Sequence, residues 1–413
     1  MESGRVRVTS EVGRLRRVIC HSPGAELLAV TPSTRADFLY DDIIDLDLAR
    51  HEHNRFKAIL ARFCEVYEVR ELLEEIADRS EVRTFLIERV MNVAQSEPLG
   101  RQLSEIPAGD LVSKFIEGEA VERGPLQTVL NAASYDMPPL PNLYFTRDAS
   151  MVVGEGVIIG SMRYNVRWTE ELLMKALFRF HPLLCNAGLI YDGSEERRAG
   201  YTVEGGDLHV LRHDLVVLGL SERSSPAALD AMAERLIEKQ GIRDVLAVVL
   251  PIERAMIHLD MIFTMIDQEH CVVYPPAFVG PTRSPVLHYR SGRKGVREMP
   301  NLFAALRMLD LPLEPVFCGG DDRTFQEREQ WSSGCNFVAL RPGLILGYSR
   351  NERTYGELAR QAGYRVVEAI DVLTGDTEIE DEERAAIVFD GSELVRGGGG
   401  ARCMTMPFMR DDA

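Results

Sequence analysis

Several features that mark common protein classes are missing from the 413-residue sequence. Its 7 cysteines are widely scattered and include no Cys-x-x-Cys pair, which argues against a disulfide framework and against a thiolate zinc site. The sequence has no Walker loop and no G-x-G-x-x-G after a predicted strand. No apolar run is long enough to span a bilayer, and residues 1–20 lack the apolar segment of a signal peptide. We therefore expect a cytoplasmic protein.

Positive charge is also scarce, since 47 Lys and Arg residues face 64 Asp and Glu residues and the net charge is −17. Such a surface repels phosphate backbones and anionic lipids, so neither nucleic acid nor a membrane is expected as a partner. Hydrophobic residues make up 45% of the chain, which is ample for a large packed core. An enzyme acting on a small molecule fits this composition best.

The spacing of hydrophobic residues divides the chain into two kinds of segment. Residues 71–134 carry apolar side chains at helical spacing among many charges, and the proline-rich stretch 138–141 ends that pattern. In the rest of the chain strands and single helices alternate, and Ser225 and Gly241 mark the two ends of one helix. Strand-like stretches at 337–340 and 344–348 precede a predicted helix at 354–362, which Gly363 ends. The pattern predicts an α/β domain formed by residues 1–70 and 135–413, with an all-helical insertion at 71–134.

The candidate nucleophile is Cys403, which follows four consecutive glycines at 397–400 and Arg402. Glycines leave no side chain in the way, so this loop can lie close over a small ligand. An adjacent positive charge favours a thiolate, which is the nucleophilic form of cysteine. A glycine-rich tail with a buried free thiol is an equally good interpretation of this stretch alone.

Other candidates lie in short polar stretches. His258 and Asp260 stand two residues apart in stretch 256–263, which we predict to be an apolar strand, so both would point to one face. Glu204 precedes two glycines, and the loop 142–148 offers an amide, an aromatic ring, a base and an acid. A hydrogen-bonded core pair and ordinary turn chemistry are the alternatives for these stretches.

Taken in order, seven stretches resemble the motifs of the arginine deiminases, and the resemblance extends from His21-Ser-Pro-Gly24 to Cys403. The family belongs to the guanidine-modifying superfamily. The resemblance implies an α/β fold, a five-bladed pseudo-symmetric propeller (pentein) with the helical subdomain inserted, and we expect a homo-oligomer. The stretches are Leu140-Pro-Asn-Leu-Tyr-Phe-Thr-Arg-Asp148, Glu204-Gly-Gly-Asp207, Gly219-Leu-Ser-Glu-Arg223, His258-Leu-Asp260, Glu327-Arg-Glu-Gln-Trp331, Gly347-Tyr-Ser-Arg-Asn351 and Arg402-Cys-Met-Thr-Met-Pro407.

The resemblance also implies a reaction, the hydrolysis of L-arginine to L-citrulline and ammonia without a metal or organic cofactor, through a covalent thiouronium on the cysteine. Two carboxylates suit a guanidinium, because it is planar, cationic and rich in donors. The implied roles are Cys403 as nucleophile, His258 as general acid and base, Glu204 as its orienting carboxylate, Asp148 and Asp260 as the guanidinium-binding pair, Arg167 and Arg223 as partners of the substrate carboxylate, and Asn142, Phe145 and Gly400 as further substrate-binding positions.

Two stretches depart from the family pattern. Relatives often carry a second arginine in the glycine loop, where this chain has Gly398, and the acidic stretch Thr374–Arg384 looks like an insertion. Two alternative functions are an amidinotransferase or a hydrolase of a modified or shortened arginine on the same fold, and a catalytically silent binding protein. Arg167 and Arg223 argue against agmatine, which lacks a carboxylate, and the complete set of site residues argues against the silent protein.

Overall fold

Short strands and single helices alternate along the computed structural model, which describes residues 5–94, 97–121, 124–130, 135–195 and 200–413. The strands are β1 (Leu15–Cys20), β2 (Glu65–Glu68), β3 (Glu119–Ala120), β4 (Tyr135–Met137), β5 (Ser150–Val153), β6 (Gly156–Ile159), β7 (Gly188–Asp192), β8 (Leu208–Arg212), β9 (Leu215–Leu220), β10 (Asp244–Val249), β11 (Phe263–Met265), β12 (His270–Val273), β13 (Val286–Arg290), β14 (Val296–Met299), β15 (Glu314–Phe317), β16 (Val338–Arg341), β17 (Leu344–Tyr348), β18 (Arg365–Glu368), β19 (Ala385–Phe389) and β20 (Met406–Arg410). The helices are α1 (Leu46–Phe63), α2 (Val69–Ala77), α3 (Ser80–Ala94), α4 (Glu97–Glu105), α5 (Ala108–Glu117), α6 (Pro125–Leu130), α7 (Trp168–Phe180), α8 (Pro226–Gln240), α9 (Pro275–Phe278), α10 (Leu302–Met308), α11 (Arg323–Trp331), α12 (Glu352–Ala362) and α13 (Ala369–Thr374).

One unit recurs in five sheets of the described chain: two antiparallel strands, a helix, and a strand parallel to the second. The units are β20-β1-α1-β2, β5-β6-α7-β7, β8-β9-α8-β10, β11-β12-α10-β15 and β16-β17-α12 with β19. The first unit joins the two ends of the chain, because its opening strand is the last of the sequence. The chain is thus a mixed α/β protein, as predicted.

The fifth unit carries one strand more than the sequence pattern suggested. After α12 the chain forms β18 at the sheet edge and then returns through α13 to place β19 between β17 and β18. The acidic stretch Thr374–Arg384 is the connection that leads from α13 to β19. Its carboxylates bind arginines of neighbouring elements, with Asp381 contacting Arg14 at 2.9 Å and Glu383 pairing with Arg365.

Local signals set the ends of the helices that the sequence predicted most clearly. The Ser225 side chain accepts a hydrogen bond from the backbone N–H of Ala228 and begins α8 together with Pro226. Gly241 ends the helix in the left-handed region at φ 68°, and Gly363 ends α12 in the same way at φ 70°. Both boundary predictions are confirmed because glycine tolerates this conformation.

Helices α2 to α6 occupy the segment predicted as an insertion, and α2 begins two residues early, at Val69. Helices α2 to α5 pack with α7 and β5 around one hydrophobic cluster. The prediction that this segment is entirely helical was wrong, because Glu119–Ala120 forms a short strand against β4. Gly118 ends α5 at φ 80° and turns the chain back, and two residues are too few to give a periodic signal. Residues 131–134 of the predicted insertion lie outside the described residues, and the domain boundaries remain a prediction.

None of the helices within the described ranges combines the length and the apolar character needed to cross a membrane.

Candidate active site

The candidate site is assembled from the segments that precede the first strand of each repeating unit. Each such segment ends within a few residues of a strand start, and a single polar cluster contains side chains from all of them. The residues concerned are Asp148 before β5, Glu204 before β8, His258 and Asp260 before β11, Asn336 before β16, and Cys403 before β20.

His258 and Asp260 do not lie on a strand, so the reason given for their shared direction was wrong. The chain makes 3-10 turns at Arg254–Met256 and Leu259–Met261, and β11 begins only at Phe263. His258 is an extended residue between these turns, with φ −136° and ψ 160°. The two side chains therefore contact different partners, His258 the Glu204 carboxylate and Asp260 the sulfur of Cys403.

Cys403 is buried, with 4% of its surface exposed, and is held by Asn336. The Asn336 Nδ2 donates to Cys403 Sγ at 3.1 Å, and its Oδ1 accepts from the Cys403 backbone N–H at 3.1 Å. Burial raises the thiol pKa well above its usual value, and the nearby carboxylates of Asp260 and Asp148 raise it further. Arg402 lowers this pKa, as the sequence suggested, but its effect is smaller, so the resting cysteine is a neutral thiol.

A buried ion-pair chain lies beneath the cysteine. Asp260 Oδ2 accepts from Arg402 Nη1 at 2.9 Å, and Arg402 also donates to both Glu11 oxygens at 3.1 Å. All three side chains are at most 7% exposed. The second Asp260 oxygen, Oδ1, has no hydrogen-bond partner among the described residues. The chain fixes one oxygen of Asp260 and leaves the other free for a ligand.

His258 forms a second buried cluster with two carboxylates. Its Nε2 lies 2.9 Å from Glu204 Oε2, and its Nδ1 lies 3.7 Å from Asp148 Oδ1. Burial alone would lower the His258 pKa, but Asp148, Glu204 and Asp207 outweigh it and raise the pKa to about 9. His258 is therefore a protonated imidazolium at neutral pH, able to give up a proton.

Arg167 and Arg223 are both buried, but they are bound differently. Arg167 donates to Glu170 from Nε and Nη2 and to Asp148 Oδ2 from Nη1, the shortest contacts being 2.8 Å. Arg223 donates to Glu204 at 3.1 Å and lies over the Tyr164 ring at 4.9 Å. The Arg223 Nε has no hydrogen-bond partner in the described part of the chain. Arg223 thus retains a free donor at the pocket, whereas Arg167 is largely occupied.

The glycine loop is packed onto the site. A Cβ atom added to Gly399 would lie 2.5 Å from the Phe145 ring, and one added to Gly400 would lie 2.8 Å from Asn336. Such distances exclude any side chain at these two positions. Asn142 donates from Nδ2 to the Phe38 carbonyl at 2.9 Å. Phe145 and Asn142 line the pocket with Cys403, whereas Gly400 packs against Asn336 and does not line it.

The space enclosed by this cluster, here called the inner pocket, is small. It measures about 20 Å³ and is lined by Cys403, His258, Asp148 and Arg223 among others. Three polar atoms at or beside it accept or donate no hydrogen bond within the described ranges, namely Asp148 Oδ1, Asp260 Oδ1 and Arg223 Nε. Two free carboxylate oxygens and one free guanidinium donor match a ligand with a cationic donor group at one end and an anion at the other.

The carboxylates could by distance also hold a cation. Ligand atoms of Asp148, Glu204 and His258 lie within 4.8 Å of one another. Both carboxylates already bind guanidinium groups, those of Arg167 and Arg223, so a metal ion here would meet two positive charges. The protonated His258 also has no free nitrogen lone pair to give to a metal ion, so the group does not fit a metal site.

The chain is similar to known proteins over nearly its whole length. The family model described as "Arginine deiminase" matches residues 36–410. Among curated relatives, the arginine deiminase of Treponema denticola is 32% identical over 432 residues, covering 98% of this chain and 99% of that protein. That of Bacillus cytotoxicus is 31% identical over 435 residues with the same coverage.

Solved structures show the same fold at low sequence identity. A dimethylarginine dimethylaminohydrolase variant in an adduct with S-methyl-L-thiocitrulline gives a TM-score of 0.51 at 15% identity, covering 95% of this chain and 100% of that one. The N-terminal domain of ArgZ, a cyanobacterial arginine dihydrolase, bound to its substrate, gives a TM-score of 0.52 at 12% identity, covering 95% and 98%. With the family model and the curated relatives spanning nearly its whole length, the chain belongs to the arginine deiminase family.

Proposed function

We propose that the chain hydrolyses L-arginine to L-citrulline and ammonia with Cys403 as the nucleophile. One observation carries this proposal: Asp148 and Asp260 are buried, act on the Cys403 thiol, and each keep one oxygen without a hydrogen bond among the described residues. A buried carboxylate oxygen without a partner is costly. A guanidinium bound between these oxygens would satisfy both and present its carbon to the sulfur.

The bound substrate would itself activate the nucleophile. The positive guanidinium offsets the two carboxylates that hold the thiol neutral, so it lowers the Cys403 pKa. The thiol gives its proton to solvent, the resulting thiolate attacks the guanidinium carbon, His258 gives its proton to the departing amino group, and ammonia leaves. The thiouronium on Cys403 then reacts with a water molecule that loses a proton to His258. The new C–O bond replaces the C–S bond, which releases citrulline.

The two arginines would contribute unequally to binding of the substrate carboxylate. Arg223 has a free Nε donor, so replacing Arg223 would remove a direct contact with the substrate carboxylate. Arg167 is saturated by Glu170 and Asp148, so its removal acts mainly by releasing Asp148. Glu170, whose pKa burial raises to about 7, was not among the residues found from the sequence.

A citrulline assay with L-arginine and agmatine tests this function. We expect turnover of L-arginine and poor turnover of agmatine, which lacks the carboxylate. Arg223→Ala should raise KM for arginine by about tenfold or more, the effect of losing a charge-assisted partner. Arg167→Ala should lower kcat for both substrates. Turnover of agmatine alone, or transfer of the amidino group to an added amine, would favour the alternative guanidine enzymes.

The finer architecture and assembly are also proposals. The five repeated units support a five-bladed propeller closed around the site, with residues 71–134 as an insertion that packs against it. Leu126 and Val129 on α6 are 77% and 83% exposed, which supports a homo-oligomer that covers them. A cytoplasmic location is likewise part of the proposal. Light scattering of the wild type and of Leu126→Ser would test the assembly.

A further inference from the structure

A second cavity of about 350 Å³, here called the vestibule, adjoins the inner pocket. Three residues line both spaces and form the partition between them, namely Arg254, Ile257 and Gly398. The inner pocket has room for about one water molecule, so arginine cannot occupy it as it stands. A ligand that arrives through the vestibule must therefore move at least part of this partition.

Arg254 is the charged residue of the partition, and its guanidinium contacts Leu39 and Asp41. Its Nη2 donates to the Leu39 carbonyl at 2.5 Å, and its Nε lies 3.1 Å from both oxygens of Asp41. Leu39 lines the inner pocket and has φ 68°, an uncommon conformation for a residue with a side chain. Arg254 therefore holds Leu39 over the pocket, and we call these contacts the Arg254 latch.

Gly398 leaves the room in which Arg254 lies. A Cβ atom at Gly398 would be 3.7 Å from Arg254 Nη2, which is ordinary contact, so a longer side chain there would meet the guanidinium. The positive charge facing the vestibule at this point is thus supplied by Arg254 rather than by the glycine loop.

Solvent exposure decides which pocket arginine can change partners. The Arg254–Asp41 pair is 34% and 38% exposed, whereas the Arg167–Glu170 pair is 3% and 1% exposed. An exposed ion pair contributes little to stability, so exchanging Asp41 for another carboxylate costs little. Breaking the buried pair leaves an unpaired buried charge. Among these two, Arg254 is the arginine able to switch.

We propose that Arg254 is a specificity-determining latch: it closes the inner pocket through Leu39 and Asp41, and it exchanges Asp41 for the substrate's α-carboxylate as L-arginine passes from the vestibule. This inference rests on the proposed hydrolysis of L-arginine. Arg254 acts with Arg223, the first from the side of the vestibule and the second from inside. A guanidine compound without a carboxylate releases the latch without gaining this contact.

The test combines kinetics with chemical labelling of Arg254→Ala, Arg254→Lys and the control Arg14→Ala. Arg14 also forms an exposed ion pair with an aspartate, Asp381, but lines neither cavity. Arg254→Ala should raise KM for L-arginine about tenfold or more with a smaller change in kcat, and leave the KM or Ki of agmatine within about threefold. Arg254→Lys keeps the charge without the planar guanidinium, so its KM should fall between those of the wild type and Arg254→Ala. Arg14→Ala should match the wild type.

Labelling by iodoacetamide, followed by mass spectrometry at each cysteine, reports on closure without requiring turnover. Cys403 should be alkylated faster in Arg254→Ala than in the wild type, while the exposed Cys185 serves as an unchanged internal reference. Equal effects on arginine and agmatine together with an unchanged labelling rate would overturn the latch. A wild type that makes no citrulline would refute the proposed hydrolysis instead, and the labelling rates would still decide the closure.

Discussion

Arginine–carboxylate pairs lie in two regions of the site, the floor beneath Cys403 and the rim around the vestibule. Only the pairs at the rim are exposed to water. At the floor, Arg402 and its partners Glu11 and Asp260 are at most 7% exposed. At the rim, the Arg396–Asp42 pair is 41% and 54% exposed. Buried pairs are costly to break, and exposed pairs are screened and weak. The floor can therefore hold Cys403 and Asp260 in fixed positions, while the rim can open.

The largest effect is expected at the floor, from Glu11→Gln. The change keeps the shape but removes a charge that offsets the buried guanidinium groups of Arg402 and Arg147. Breaking a buried pair in this way costs about 3 to 5 kcal/mol of unfolding free energy. Urea denaturation measures this loss, and citrulline production should fall with it because Asp260 loses its support. Unchanged stability would mean that the floor is no more rigid than the rim.

A smaller effect is expected from the protonation of His258. Its pKa is 6.5 in an ordinary environment and about 9 in the fold. The folded state binds this proton more tightly, so the stabilisation is fully present below pH 6.5 and is lost as the pH rises through 9. The difference in unfolding free energy between wild type and His258→Gln should shrink by on the order of 3 kcal/mol across this window. A difference independent of pH would show that Asp148 and Glu204 do not hold the proton.

The next largest effect is expected from Gly398→Arg, because Gly398 lies at the rim with a positive φ angle. Gly398 has φ 87°, and a residue with a side chain in that region costs about 1 to 2 kcal/mol. The new cation would also meet Arg254, shifting KM and the pH dependence of turnover. Gly398→Asn, which tolerates this conformation, is the matched control. An unfolding free energy equal to that of the wild type would contradict the strained position.

The smallest effect is expected from Asp42→Asn at the rim. The Asp42 carboxylate pairs with Arg396 in solvent, so removing its charge should leave the unfolding free energy essentially unchanged. We expect kcat/KM for L-arginine to change by less than about tenfold. A loss as large as that of Glu11→Gln would remove the distinction between floor and rim.

The sequence predicted elements and residues whose signals are local. Ser225, Gly241 and Gly363 mark helix ends by their own conformational preferences, and the structure bears them out. The stretch 256–263 misled the prediction because an apolar run can equally form 3-10 turns that bury its side chains. The strand Glu119–Ala120 is too short to show a period.

The missed site residues depend on contacts that no local pattern records. Glu11 meets Arg402 across 391 positions of the chain, and nothing near residue 11 indicates that partner. Asn336 could have been found, because it precedes the first strand of its unit as Asp148 and Glu204 precede theirs. Comparing the repeated units position by position is the signal that would have indicated it.

Rapid acid quenching of the enzyme with L-arginine, followed by mass spectrometry, tests the central claim most directly. In the wild type we expect the peptide containing Cys403 to carry the mass of L-arginine less ammonia, bound to the sulfur. Cys403→Ser should show no such adduct and no citrulline, because a serine hydroxyl is not ionised at neutral pH. An adduct on another residue, or citrulline from Cys403→Ser at the wild-type rate, would contradict nucleophilic catalysis by Cys403.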